Sequence, residues 1–170
     1  MKKWRDKMVK FKSFSGSITI INDFWVDATG EGHGCYKLIS VENKSGAIVN
    51  FVVSPTTYFV DHVMVDVGDW VTGFYDANAA VPYIYPPQLN AIIMAKNTRY
   101  QSVKVDYFNS ALVSSDNTLR LNIAPSTQIL LENDQAFTRN PANRNLIVVY
   151  GITTMSIPAQ TTPYKIIVMC

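Results

Sequence analysis

Two histidines and two cysteines are the chain's full complement of those residues, so acid–base, nucleophilic or metal chemistry has few places to gather. His33 and Cys35 stand two apart in Gly32-His33-Gly34-Cys35, with Asp27 and Glu31 upstream as carboxylates that could join them. A zinc site of this kind draws on a second pair at its own spacing, and none follows. His33 therefore reads as a surface residue of a glycine-rich loop. His62 follows Asp61 among apolar residues and reads as a partly buried histidine bonded to backbone or carboxylate. Neither histidine adjoins a nucleophile motif such as G-x-S-x-G, and no Walker A sequence or helix-opening G-x-G-x-x-G is present. The glycines of 30–34 lie between strand signals and so lack the helix N-terminus that binds pyrophosphate. Asp61, Asp66 and Asp69 are close in sequence, but turn spacing puts no two of them on one cleft wall. Cys170, behind the apolar run 166–169, reads as a strand end. These residues predict no catalytic activity, no metal and no cofactor.

Stacking and apolar contact are what the residue types favour instead. Trp25 opens the glycine-rich, acidic stretch 25–34, and Tyr36 closes it. Tyr83 and Tyr85 stand in a second stretch, 76–89, which contains Val81-Pro82-Tyr83-Ile84-Tyr85-Pro86-Pro87. Flat aromatic faces accept bases or sugar rings, and tyrosine-rich segments stiffened by proline suit protein contacts. Trp25, Tyr36, Tyr83 and Tyr85 are the candidate ligand-binding residues; the competing reading folds Tyr83 to Tyr85 back as a lid over a barrel end.

Those loops need strands to hold them. β-Branched and aromatic runs bounded by Gly, Asn, Asp and Pro predict strands at 17–24, 35–41, 47–53, 70–75 and 90–95. The pattern then recurs. Residues 50–57 align with 120–127 at an offset of 70, ending in Ser54-Pro55-Thr56-Thr57 and Ala124-Pro125-Ser126-Thr127. Val71-Thr72-Gly73-Phe74 aligns with Val149-Tyr150-Gly151-Ile152 at 78, Val81-Pro82 with Ile157-Pro158 at 76, and Ile92-Ile93-Met94 with Ile167-Val168-Met169 at 75. Upstream, Ile18-Thr19-Ile20 aligns with Val103-Lys104-Val105 at 85, leaving the second copy 15 residues shorter before its third strand and only Ala111-Leu112-Val113 for its second. Alternation predicts that Val49, Phe51 and Val53, with their counterparts Leu119, Leu121 and Ile123, face a core.

Five strands per copy, a long third strand with its Ser-Pro-Thr-Thr turn, and a fourth strand opened by Gly68-Asp69-Trp70-Val71-Thr72-Gly73 resemble the OB-fold, a small Greek-key barrel. The stretch 73–78 with Tyr85-Pro86-Pro87 is similar to a group of small bacterial β-proteins without assigned activity. The expected architecture is all-β: a basic arm over 1–13, an OB-like barrel over 14–95, and a second over 96–170 with a shortened first hairpin. A single two-sheet β-sandwich with internal pseudo-symmetry is the alternative. The resemblance implies a binding face on strands two and three, flanked by the loops joining strands one to two and four to five.

Charge narrows the partners. Of 170 residues 48% are hydrophobic and 16% charged, which excludes a disordered chain. The net +2 divides into +5 over 1–12, −6 over 13–95 and +3 over 96–170. An acidic first barrel would repel a phosphate backbone, which weighs against nucleic acid and favours a peptide, saccharide or protein. Trp4, Met8 and Phe11 share a helical face, but twelve residues are marginal as a helix, so a frayed arm or first strand is expected. The opposite charges of the two halves leave a self-associating homo-oligomer as the second function. No stretch approaches 18 apolar residues, so no membrane span is expected and the compartment is read as cytoplasmic.

Overall fold

The computed structural model describes residues 9–24 and 34–170. They form an all-β protein with several sheets, one short 3-10 turn and, among the described residues, no α-helix. The chain divides into two compact units, the first ending at Asn97 and the second running from Thr98 to Cys170. No helix among the described residues is long and apolar enough to cross a membrane.

In the first unit, β1 (Phe11–Asp23), β2 (Lys37–Glu42) and β3 (Ile48–Val53) form an antiparallel meander. The 13-residue β1 starts earlier than its apolar run suggests, because it serves two partners. Its first half pairs with β5 (Trp70–Asp76), its second with β2, and a register shift between Ile18 and Ile20 bends it between them. β4 (Tyr58–Phe59) and the 3-10 turn Val60–His62 lie between β3 and β5. The expected strand at 90–95 is a longer crossing in two pieces, β6 (Gln88–Asn90) parallel to β3 and β7 (Ile93–Lys96) antiparallel to β5. At the break, the Ala91 amide still donates to the Val52 carbonyl (3.0 Å) and the Ile92 amide to that of Phe74 (2.8 Å). Strand pairing therefore returns to its start: β1–β2–β3–β6/β7–β5–β1. Ile18, Ile39, Val41, Phe51, Val71 and Met94 fill the centre, each no more than 2% exposed.

The second unit repeats this pairing. β8 (Ser102–Phe108) is antiparallel to β11 (Arg144–Tyr150), and β11 to β13 (Lys165–Val168). β9 (Leu119–Leu121) runs parallel to β12 (Ala159–Thr161), and β10 (Gln128–Leu131) parallel to β13, as β4 does to β7. The expected second strand at 111–113 shrinks to two isolated bridges, Phe108 with Ser114 and Val113 with Arg120. These are the counterparts of Ile18 with Val41 and Ser40 with Asn50. Phe108, Leu146, Val148 and Ile166 make a separate, fully buried core.

Hydrogen bonds fix the correspondence residue by residue. Thr57 and Thr127 each accept from the amide three residues back (Ser54, 3.0 Å; Ala124, 3.3 Å) and donate across to the fifth segment (Ala91 and Pro163 carbonyls, both 2.8 Å). The offset of 70 at this turn therefore holds. The other offsets shift. The amides of Ile92 and Tyr164 donate to the carbonyls of Phe74 and Val149, so the fourth strands correspond at 75, not 78. The fifth segments correspond at 72, not 75 or 76, and both have a cis X-Pro bond there, Tyr85-Pro86 and Ile157-Pro158. The first strands correspond at 90, pairing Ile18 with Phe108, not at 85. Ile123 also departs from expectation: β9 stops at Leu121, and Ile123 is 39% exposed.

The corrected register changes the meaning of a glycine. Gly73 corresponds to the buried Val148, and Phe51 to Leu121. A Cβ at Gly73 would meet the Phe51 ring at 2.5 to 2.8 Å. The glycine makes room for a phenylalanine; where the partner shrinks to leucine, valine fills the space. This swap keeps the core volume, to which a close-packed interior is sensitive.

Candidate functional site

The loop joining β5 to β6 is tied at both ends. Asp76 Oδ1 accepts from the amides of Lys10 (3.1 Å) and Asn78 (2.9 Å), and the Ala77 amide donates to the Lys10 carbonyl (2.8 Å). At the other end the Pro87 carbonyl accepts from Asn50 (2.9 Å). Between these anchors the chain stands clear of its own unit. Tyr83 is 106% exposed and Tyr85 76%, with Val81 and Ile84 also exposed. A side chain that covers a barrel end is itself covered, so these tyrosines do not form the lid considered above.

Tyr36 is half-buried, and its carbonyl accepts from the Phe24 amide (2.9 Å) at the mouth of the first hairpin. It leads into Lys37, which pairs with Val53, while the tyrosine–proline loop returns at Gln88 opposite Asn50. The roots of the two loops thus flank β3 on opposite edges, three residues or about 10 Å apart along the strand. Trp25 and His33 lie outside the described residues.

Among the described residues weighed for chemistry, Asp69 and His62 have structural roles, while Asp27 and Glu31, like His33, lie outside the described residues. Asp69 Oδ2 accepts from the Asp66 amide (2.8 Å) and pairs with Lys96 (3.5 Å), closing the turn before β5. His62 is exposed, unlike the partly buried histidine expected, because it lies in a left-handed pair with Asp61 (φ 51 and 61) and sets its ring edge-on to Tyr58 at 5.4 Å. Cys35 and Cys170 are exposed free thiols. Among the described residues no three His, Cys, Asp or Glu side chains come together as metal ligands.

A feature the sequence reading missed lies in the second unit. A groove of about 440 Å³ opens between Asn122, just past β9, the segment 151–154 after β11, and residues 160–162 with Tyr164. Its walls are cross-braced. Asn122 Nδ2 donates to Gln160 Oε1 (3.2 Å), the Gln160 amide to Thr154 Oγ1 (2.9 Å), and Thr161 Oγ1 to the Ile152 carbonyl (2.8 Å). Tyr164, 53% exposed, has its hydroxyl over Gly151, where any Cβ would collide with it. Threonine, glutamine and asparagine carry no spacing signal that marks a site; a register accurate enough to bring Gly151 next to Tyr164 could have found it. Beyond the groove, Met155 (101% exposed) and Ile157 (90%) stand at the positions corresponding to Tyr83 and Tyr85. No protein-family model, curated protein or solved structure matches this chain.

Proposed function

We propose that the chain is a non-catalytic binding module of two consecutive OB-like barrels, and that the first recognises a protein or peptide through its tyrosine–proline loop. The strand order one-two-three-five-four, returning to one, supports the barrel reading, since closure of this kind leaves few bare edges. Two separate cores weigh against a single sandwich. The observation that carries the function is the exposure of Tyr83 and Tyr85 on a loop held at both roots. Exposed apolar side chains in a row cost solubility, and large aromatics with few rotatable bonds lose little entropy when a partner covers them. The tip is convex chain rather than a cleft, which suits a protein surface better than a small molecule. A random peptide library selected on the wild-type chain tests this. Enriched peptides should lose at least about tenfold in affinity for the Tyr83→Ala/Tyr85→Ala double variant. Peptides that bind both forms equally would remove the loop as the contact surface.

The second reading is self-association. It draws on the apolar tip in each unit, Tyr83 with Tyr85 and Met155 with Ile157, which two copies could bury against each other. Sedimentation decides it: a monomer at about 100 μM excludes a self-assembly tight enough to matter.

A further inference from the structure

We infer that the groove of the second unit is a binding site for an uncharged saccharide, separate from the tyrosine–proline loop of the first. A sugar ring presents hydroxyls that both donate and accept, closely spaced around a ring whose C–H face is apolar. It asks for neutral side chains of the same dual character beside an aromatic surface. The groove supplies both. No lining residue is charged. The bond between Gln160 Oε1 and Asn122 Nδ2 leaves the Gln160 Nε2 donor and the Asn122 Oδ1 acceptor, on two residues that line the groove, unused by it. The hydroxyls of Thr153, Thr162 and Tyr164 make no hydrogen bond to another described residue. The Tyr164 ring is half exposed on a floor that only glycine at 151 permits. The bracing through Thr154 and Thr161 sets this array before any ligand arrives, which reduces the ordering cost of binding.

The first unit shows that the barrel does not require this arrangement. Val52, Asp76, Leu89 and Ile92 occupy the positions of Asn122, Gly151, Thr161 and Tyr164. An apolar side chain becomes an amide, another a hydroxyl, and the Asp76/Ile92 pair becomes Gly151/Tyr164, in which the lost Cβ admits the larger ring. Core packing alone gives no reason to place three polar groups and a glycine around one hollow. A volume of about 440 Å³ is within the range of small-molecule sites. Anionic ligands fit poorly, since phosphate or sulfate calls for lysine or arginine at the contact. Arg120 lies beside Gln160 in register but is not among the lining residues.

The test titrates the full chain with chitotriose, maltotriose, cellotriose and mannotriose, followed by saturation-transfer NMR and calorimetry. At least one should bind with a dissociation constant below about 10 mM. Tyr164→Ala and Gln160→Ala should each weaken it by about tenfold, and Tyr164→Phe, which keeps the ring, by no more than about threefold. Both residues are at least partly exposed, so the variants should fold, checked by circular dichroism. Tyr83→Ala/Tyr85→Ala should leave sugar binding unchanged, which separates this site from the loop. Absence of binding by all four sugars, affinity untouched in both alanine variants, or preference for a sulfated trisaccharide over every neutral one would overturn the assignment.

Discussion

The two units share one pairing scheme and differ in what holds its second strand. In the first, β2 runs six residues with ladder bonds on both sides. In the second, two bridges remain, and side chains replace the ladder. Ser114 Oγ, in a residue 3% exposed, accepts from the amides of Thr118 (3.2 Å) and Leu119 (3.0 Å) and donates to Asp116 (2.7 Å). Asp116 also accepts from the Thr118 hydroxyl and from Lys104, each at 2.7 Å. Backbone polar groups need partners whatever supplies them, so a strand can be cut to a knot of hydroxyl and carboxylate if every amide is still met. The shortened unit also carries the polar groove, whereas the first has a longer first hairpin connection and an aromatic loop.

Perturbing each unit where they differ sharpens this contrast. The largest effect belongs to the cores: Phe51→Ala and Phe108→Ala should each cost about 3–5 kcal/mol in urea unfolding, because both rings are fully buried. Ser114→Ala should cost about 2 kcal/mol, since it strands the buried Leu119 amide and leaves the Thr118 amide with Asp116 Oδ1 (3.1 Å) as its one acceptor. Acid should act next. Burial raises the Asp116 carboxyl, but hydrogen bonds from Lys104, Ser114 and Thr118, with the Lys104 charge, outweigh it and hold the group well below its ordinary 3.8. A lowered value in the fold means its stabilisation is complete above the unfolded value and drains as pH falls from there. The urea midpoint should therefore drop between about pH 5 and pH 2, and Asp116→Asn should flatten that slope. The smallest effect is at the first hairpin, where the exposed Lys37–Asp23 pair (2.5 Å) predicts less than about 1 kcal/mol for Asp23→Asn.

What could be read from sequence depended on how tightly local chemistry pins a position. The 54–57 and 124–127 turns were placed correctly because a threonine that accepts three residues back and donates across leaves a recognisable pattern. The fourth strand slipped by three because Leu146, Ile147, Val148 and Val149 are all buried, so alternation offers no phase to align. That slip matched Gly73 with Gly151, two glycines with different tasks, and concealed both the Phe51/Leu121 exchange and the groove. Tyr83 and Tyr85 stand out in the sequence because proline and tyrosine together are conspicuous; that they face outward could not be told from composition, which suits a lid equally well.

The most direct measurement transplants one unit's core pair into the other. Gly73→Val alone should destabilise the chain by about 3 kcal/mol in urea unfolding, since the new methyls meet the Phe51 ring. Adding Phe51→Leu reproduces the Leu121/Val148 pair and should bring the double variant within about 1.5 kcal/mol of wild type. A double variant no more stable than Gly73→Val would contradict the equivalence of the two units.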